Sequence, residues 1–183
     1  MLNKDVKKSL LTHLDLCVGC FACEVACKQE HNLPIGMCWI KVVRVGPKKI
    51  GGRLFMHFAP VHCRHCGKPP CMEVCPVGAI SKRSDGIVLF SDKLCIGCKI
   101  CIEACPFGAL QYNAEKEAVE ACNLCVERVD QGLQPICAQN CPTGALRFGD
   151  TADFVLHRRN RAVKSLTEHD GILFKSEFSD DSF

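Results

Sequence analysis

The spacing of the cysteines constrains this chain more than any other feature. Residues 95–106 read CIGCKICIEACP, with cysteines separated by two, two and three residues and followed by proline. Residues 63–76 form the same run with two extra residues before the third cysteine. Residues 17–27 form it again, with Lys28 in place of the proline. A fourth run, over residues 122–142, is stretched, with eleven residues between its second and third cysteines.

Disulfides, zinc and iron–sulfur clusters are the three ways in which such runs are used. The count of seventeen cysteines is odd, and pairs two residues apart suit metal binding better than disulfides. Residues 1–20 contain no apolar run typical of a signal peptide, so we expect a cytoplasmic protein without a disulfide framework. Four all-cysteine zinc sites are the alternative. The C-x2-C-x2-C-x3-C-P pattern is typical of bacterial [4Fe–4S] sites, and clusters are therefore favoured.

The runs also predict how clusters would be shared. The first three cysteines of such a run hold one cubane, and the fourth binds the neighbouring cluster. Two runs therefore complete each other's sites, and four runs predict four [4Fe–4S] clusters. Spacing alone permits either pairing: second run with third and first with fourth, or first with second and third with fourth. Cys38 is the cysteine left over, and beside Trp39 we expect it to be a small buried apolar residue.

Charge and hydropathy exclude two classes of partner. The formal charge is +3, but four clusters at about −2 each would shift the balance to about −5. Basic residues would then offset cluster charge, so nucleic-acid binding is not predicted. Apolar stretches fall far short of the roughly 20 residues that span a bilayer, so no direct membrane insertion is expected. Near the second run, His62, Arg64, His65 and Lys68 lead to the hypothesis that positive charge raises one cluster's potential.

Short strands and one longer helix are predicted around the cysteine runs. WIKVVRV (39–45) and RLFMHFA (53–59) alternate as the strands of a hairpin. Residues 152–166 have helical periodicity, with Asp150 or Thr151 as the N-cap. A repeated unit, Gly-Ala-apolar, follows the proline of three runs and begins a strand each time.

With these runs the chain resembles the four-cluster iron–sulfur electron-transfer subunits of molybdenum and tungsten oxidoreductases. Members serve dimethyl sulfoxide, polysulfide and nitrate reductases, formate dehydrogenases and tungsten aldehyde oxidoreductases. The resemblance runs from Cys17 to about Gly149 and rests on four cysteine runs in this order. It implies a small, loop-rich α+β fold of two interleaved ferredoxin-like modules, each with two [4Fe–4S] clusters, plus an inserted β-hairpin and a C-terminal helix.

The resemblance also implies a domain organisation. One module would comprise residues 1–62 and 113–150, including the hairpin at 39–59. The second and third runs would form the other module, residues 63–112. Residues 151–183 would supply the C-terminal helix and a tail.

By the same resemblance, the first and fourth runs share two clusters, and the second and third runs share the other two. Four ligand sets follow, which we number as sites. Site 1 is Cys17, Cys20, Cys23 and Cys141, and site 2 is Cys27, Cys122, Cys125 and Cys137. Site 3 is Cys63, Cys66, Cys71 and Cys105, and site 4 is Cys75, Cys95, Cys98 and Cys101. Some relatives lack the third cysteine of the third run, but Cys101 is present here, which favours four complete cubanes.

No catalytic residue is predicted, because a cubane held by four cysteines has no open position. We expect a non-enzymatic electron-transfer wire between a molybdenum- or tungsten-pterin catalytic subunit, such as an aldehyde oxidoreductase or dimethyl sulfoxide reductase family member, and a flavin or other redox subunit. The alternative is a freestanding polyferredoxin that acts as a diffusible carrier, and a small redox sensor is a third reading. Self-association that joins wires end to end is also compatible with the sequence.

Overall fold

The computed structural model describes residues 7–169, as two compact units that divide between Asp150 and Thr151. The strands are β1 (Lys8–Thr12), β2 (Ile40–Ile50), β3 (Arg53–His62), β4 (Ile80–Lys82), β5 (Val88–Phe90), β6 (Gln111–Asn113), β7 (Ala118–Glu120) and β8 (Leu146–Asp150). The helices are α1 (Ala22–Glu30), α2 (Pro70–Glu73), α3 (Ile100–Glu103), α4 (Val126–Asp130), α5 (Ile136–Gln139) and α6 (Thr151–His169). The fold is thus α+β, small and rich in loops.

Every sheet in the described part of the chain is an antiparallel pair of strands. The pairs are β1 with β8, β2 with β3, β4 with β5, and β6 with β7. Strands β4 and β6 follow the Gly-Ala repeats as expected, and each returns through a short turn. Strand β8 follows the third repeat, but its partner β1 was not predicted. Leu10 of β1 is buried, and the His13 N–H donates to the Ala145 carbonyl at 2.7 Å.

The Gly-Ala repeats share one backbone conformation. Gly78, Gly108 and Gly144 all have φ near +60°, at 63°, 58° and 63°. This left-handed conformation costs a residue with a side chain about 1–2 kcal/mol. Each glycine N–H donates to the carbonyl of the fourth cysteine of its run, at 3.5, 3.2 and 3.2 Å. The repeat therefore turns the chain sharply from a cysteine into a strand.

Two groups of buried side chains form the interior of the first unit. The first contains Leu33, Ile40, Ile87, Leu124 and Leu146 with buried cysteines of the first and fourth runs. The second is made of Ile80, Val88, Leu110 and Val119 with cysteines of the second and third runs, together with Cys122. Trp39 packs against both groups. Cysteine side chains thus take the place of much of an ordinary apolar core.

The β2–β3 hairpin is longer than the predicted strands and is buried only at its base. Ile40, Val42 and Pro60 lie in the interior, whereas residues 53–57 of β3 are all exposed. Leu54 is 74% exposed. A register shift between Val45 and Lys48 marks the start of the outer half. The outer half therefore contributes little to the core.

The second unit is described by α6 alone. The helix begins at Thr151, so of the two expected caps it is Asp150 that directly precedes it, and it extends beyond the predicted residue 166. The tail that we assigned to the end of 151–183 lies, from residue 170 onward, outside the described residues. Among the helices of residues 7–169, none combines the length and apolar character needed to cross a membrane.

Candidate cluster-binding sites

Site 4 is a cavity between the second and third cysteine runs. Its walls include Cys75, Cys95, Cys98 and Cys101. Ile80, Phe90 and Val119 complete an apolar lining. The cavity thus combines three cysteines of one run with the fourth cysteine of another, the set named from the sequence.

Site 1 is a second cavity, at the contact between the first and fourth runs. It is lined by Cys17, Cys20, Cys23 and Cys141. Val42 and Pro60, from the base of the hairpin, form part of the wall. The hairpin therefore helps to cover this site as well as extending from it.

The cysteines of sites 2 and 3 are more deeply buried. Burial, and then the proximity of Cys71, Cys105 and Cys66, raises the pKa of the Cys63 thiol to about 11. Burial and then the nearby Cys122 and Cys125 raise the pKa of Cys27. The pKa of Cys137 is also raised, first by burial and then by the nearby Cys125 and Cys27. The fold therefore brings the members of each of these two sets close together.

The backbone turns inside the runs point N–H groups at sulfur. The residue two positions after the first cysteine of each run has a left-handed φ: Gly19 at 68°, His65 at 46°, Gly97 at 65° and Leu124 at 54°. The Gly97 N–H donates to Cys95 Sγ at 3.5 Å, and the Leu124 N–H to Cys122 Sγ at 3.4 Å. Such N–H groups form a concave site for negative charge.

The fourth cysteines receive similar donors from the Gly-Ala repeats. The Ala79 N–H donates to Cys75 Sγ at 3.3 Å. Burial acts to raise the pKa of Cys141, but hydrogen bonds from the Leu146 and Ala145 backbone and from Thr143 lower it overall. Thiol donors, oriented N–H groups and apolar walls together fit [4Fe–4S] clusters.

A set of cysteines around a cubane differs from a single-ion site, because its sulfurs bind different irons and lie farther apart. Within residues 7–169, no three His, Cys, Asp or Glu side chains converge closely enough to hold one metal ion. The cysteines of sites 1 and 4 instead line cavities.

Neighbouring sites also approach one another. The pKa of Cys101 is raised to about 11. Burial is the largest cause, followed by Cys95 and Cys98 of the same run and then by Cys71 of the second run. Cys63 contributes in the same way to the raised pKa of Cys122, again after burial. Cys23 does so for Cys137. Cysteines of the expected sets 1 and 2, 2 and 3, and 3 and 4 therefore lie near enough to influence one another electrostatically.

The histidines of the second run do not carry the positive charge that we expected. Burial lowers the pKa of His62 to about 4 and that of His65 to about 3, so both are neutral at pH 7. The His65 Nδ1 accepts the Val88 N–H at 3.0 Å. The charges near this run come instead from Arg64, Lys68 and Lys82, whose Nζ donates to the Cys66 and Gly67 carbonyls.

Sequence reasoning missed His31, which lies at the C-terminal end of α1. Its Nε2 is 3.2 Å from Cys125 Sγ, and its ring lies 4.5 Å from that of Trp39. Burial lowers the pKa of His31. No local pattern could have identified this contact, because 94 residues separate the two partners.

Cys38 differs from the expectation of a buried apolar residue, since it is only partly buried. Its N–H donates to Gln111 Oε1 at 2.7 Å. This hydrogen bond fixes the backbone where the chain enters β2, and the side chain itself reaches the neighbourhood of Cys27.

Known proteins share these features. A family model described as a 4Fe-4S dicluster domain matches residues 54–151. A putative iron–sulfur subunit of dimethyl sulfoxide reductase from Halobacterium salinarum is 37% identical over 173 residues, covering 79% of this chain and 66% of the relative. A tetrathionate reductase subunit from Salmonella typhimurium is 36% identical over 174 residues, covering 89% of this chain and 68% of the relative.

A polysulfide reductase subunit from Wolinella succinogenes is 38% identical over 149 residues, covering 80% of this chain and 78% of its own length. The chain thus spans about two thirds or more of these relatives. Together with the cysteine-lined cavities, the similarity favours [4Fe–4S] clusters over zinc or disulfides. The chain belongs to the family of iron–sulfur electron-transfer subunits that contain the 4Fe-4S dicluster domain.

Proposed function

We propose that this chain carries four [4Fe–4S] clusters in sites 1 to 4, arranged in that order as a wire. The observation that supports this most strongly is the pair of cavities lined by cross-run sets of four cysteines. A fourth ligand taken from the partner run is the arrangement that tandem cluster-binding runs require. The two interleaved modules, residues 1–62 with 113–150 and residues 63–112, are part of the same proposal.

The chain's own residues would hold and insulate the clusters. When bound, each cluster supplies a centre that accepts and passes on one electron. Cysteine thiolates anchor the irons, and backbone N–H groups such as those of Gly97 and Leu124 stabilise negative charge at sulfur. The buried walls keep water away, which limits the reorganisation that accompanies each change of charge.

The two ends of the wire are the parts exposed to partners. Cys20 of site 1 and Cys98 of site 4 are exposed, whereas every cysteine of sites 2 and 3 is buried or partly buried. Exposed apolar side chains lie beside them in the sequence: Val18, 60% exposed, and Ile96, 64% exposed. Electrons would enter and leave at these ends.

The partners follow from the relatives. Subunits named as belonging to dimethyl sulfoxide, tetrathionate and polysulfide reductases support a catalytic subunit with a molybdenum or tungsten pterin at one end. A flavin-bearing or other redox subunit would occupy the other end. The chain itself would have no catalytic site. Cell fractionation checks the expected cytoplasmic location.

Iron analysis of anaerobically purified protein tests the proposal. Four cubanes require about sixteen irons and sixteen acid-labile sulfides per chain. A content near twelve or eight irons, or zinc in place of iron, would contradict it. Co-purification from the source organism tests the partner: a complex is expected, whereas a single species of 20.2 kDa would favour the diffusible carrier.

A further inference from the structure

The contact between His31 and Cys125 concerns a cluster ligand and a side chain with no part in binding iron. The two atoms, Nε2 and Sγ, are 3.2 Å apart. A thiolate bound to iron has no proton and can only accept a hydrogen bond. The proton of this contact must therefore lie on Nε2, and the ring donates to sulfur.

Several contacts fix the ring of His31. Its backbone N–H donates to the Cys27 carbonyl at 3.2 Å, which closes α1. The following loop is held by Lys28, whose Nζ donates to the carbonyls of Pro34 at 2.7 Å and Met37 at 3.1 Å. The ring of Trp39 packs against the imidazole, with the ring centroids 4.5 Å apart and the planes tilted by 39°. These contacts thus hold the His31 donor in place independently of the redox state of the cluster.

In residues 7–169 most other hydrogen bonds to cysteine sulfur come from the backbone; the exception is Thr143, whose hydroxyl lies 3.8 Å from Cys141 Sγ. Backbone N–H groups donate to Cys75, Cys95 and Cys122 at 3.3–3.5 Å. These contacts follow from the cysteine runs and recur between sites. A side-chain donor at Cys125 is an addition to that shared pattern, and it acts on site 2 alone.

We propose that His31 raises the reduction potential of the site 2 cluster by donating a hydrogen bond from Nε2 to Cys125 Sγ. The inference rests on the proposed ligand set of site 2. One electron enters the cluster, no bond forms or breaks, and the proton stays on Nε2. Because reduction adds negative charge that spreads onto the ligand sulfurs, the hydrogen bond stabilises the reduced form more than the oxidised form.

The position of site 2 makes this adjustment important for the wire. Its ligand Cys122 lies near Cys63 of site 3, where the proposed path passes from one module to the other. A change in the site 2 potential would alter the driving force of electron transfer across that crossing, and His31 would help to set it.

The test compares three variants by EPR-monitored redox titration of the complete protein. His31→Phe removes the donor and keeps a ring to pack against Trp39. His31→Gln keeps an N–H donor. Thr143→Val is the matched control, because its hydroxyl lies 3.8 Å from Cys141 Sγ of site 1. The site 2 signal is identified as the one altered in Cys125→Ser.

We expect His31→Phe to reduce the ratio of reduced to oxidised site 2 cluster about tenfold at a fixed potential, a fall of about 59 mV for one electron. The other three potentials should stay in place, His31→Gln should recover part of the shift, and Thr143→Val should leave site 2 unchanged. Four unchanged potentials in His31→Phe, or an equal shift of all four, would overturn the inference.

A second measurement decides the matter if His31→Phe fails to retain its iron. Pulsed EPR of the unsubstituted protein with ¹⁵N-labelled histidine should detect weak coupling between the reduced site 2 cluster and an imidazole nitrogen. Absence of that coupling would refute the hydrogen bond. Failure of the four-cluster proposal would instead appear as a low iron content of the unsubstituted protein.

Discussion

Glu24 shows how a single residue between two cluster cysteines joins separate parts of the chain. It lies on α1 between Cys23 and Cys27. One carboxylate oxygen accepts the Val42 N–H at 2.6 Å, and the other pairs with Lys41 Nζ at 3.1 Å. The first contact satisfies a backbone group near the base of the hairpin, whereas the second lies at the surface.

We therefore expect Glu24→Ala to destabilise the protein by about 1–3 kcal/mol, because the Val42 N–H loses its partner in a partly buried position. Glu24→Gln keeps an acceptor and should cost less. Lys41→Ala, the matched control, should have little effect, since the Lys41 side chain is exposed and exposed ion pairs contribute little to stability. The loss of cluster absorbance with increasing urea concentration measures the relative stability of the three variants. A larger effect of Lys41→Ala than of Glu24→Ala would refute this reading.

Both a left-handed backbone and a lack of space for a side chain favour glycine at position 97, whereas only the left-handed backbone does so at position 108. Both have left-handed φ values, 65° and 58°. A Cβ at Gly97 would lie 2.9 Å from the Glu117 carbonyl oxygen and 3.3 Å from the Tyr112 ring, whereas a Cβ at Gly108 would meet no atom within 4 Å. The two positions thus separate a steric clash from backbone strain.

Gly97→Ala should lose iron from site 4, because the Cβ pushes the turn that carries Cys95 and Cys98 away from β7. Gly108→Ala should keep its iron and be destabilised by about 1–2 kcal/mol, the cost of the left-handed conformation alone. Iron content after anaerobic reconstitution distinguishes the two variants. Equal iron loss in both would show that strain, and not the clash, controls assembly.

Cys38 is expected to be dispensable for iron binding. The other sixteen cysteines occupy the four runs, and the Cys38 backbone N–H, which bonds to Gln111, is unchanged by a side-chain substitution. Cys38→Ser should therefore keep the full iron content. Loss of about four irons in this variant would show that Cys38 is a ligand and that one of the assigned sixteen is not.

At the residue scale, features that depend on local spacing could be predicted from the sequence, whereas contacts between residues far apart in the chain could not. The cysteine runs, the leftover Cys38 and the glycine after each run-ending proline are all visible as patterns. The contact of His31 with Cys125 spans 94 residues, and burial of His62 and His65 depends on the folded surroundings. The neutral state of the two histidines could therefore not be predicted from their position beside basic residues in the sequence.

At the scale of elements, the β2–β3 hairpin has two parts with separate roles. Its base covers site 1 through Val42 and Pro60, and Phe58 fits against Gly19, where a Cβ would approach its ring to 2.4 Å. Its outer half carries exposed apolar residues, including Leu54, Phe55 and Met56. An exposed apolar surface of this kind is typical of interaction sites.

Replacing residues 46–56 by Asn-Gly should leave iron binding intact. The new turn would join Val45 to His57, which already face each other in the register, and Asn-Gly suits a two-residue hairpin. We expect a full iron content and a weakened association with the catalytic partner, measured by anaerobic co-elution. Loss of iron in this variant would show that the outer half supports site 1 from a distance.

Element prediction failed where two partners are far apart in sequence. The strands that follow Pro76 and Pro106 return within a few residues, so each pair is visible as a local repeat. Strand β8 instead pairs with β1, and Leu10 faces Phe148. The segment KSLLT is too short to be recognised as a strand without knowledge of its partner, since short apolar stretches are ambiguous.

At the scale of the whole molecule, the first and fourth runs enclose the second and third in sequence, and an ion pair spans this arrangement. Arg83, in the turn after β4, contacts both carboxylate oxygens of Asp130 at the end of α4, at 2.9 and 2.7 Å. It also contacts Asp85 at 2.9 Å. This pair is exposed and worth at most about 1 kcal/mol. Buried packing, with Ile87 inside the first group of core residues and Trp39 against both groups, therefore contributes more than this ion pair to joining the two parts.

Shared ligands give the most discriminating prediction for the whole molecule. If the proposed sets are right, Cys75 and Cys95 serve one cluster although twenty positions separate them, while Cys71 and Cys75 serve different clusters although they are four positions apart. Cys75→Ser and Cys95→Ser should therefore alter the same EPR signal, that of site 4. Cys71→Ser should alter another, that of site 3.

The same logic applies between the outer runs, where Cys141→Ser and Cys17→Ser should alter one signal and Cys137→Ser another. Serine keeps an oxygen ligand in place of sulfur, so each variant is expected to shift the spectrum of a cluster without emptying the chain of iron. Redox titration with EPR detection makes the comparison. Signals grouped by run, with Cys71 and Cys75 acting together, would mean that each run completes its own cluster and that the modules do not interleave.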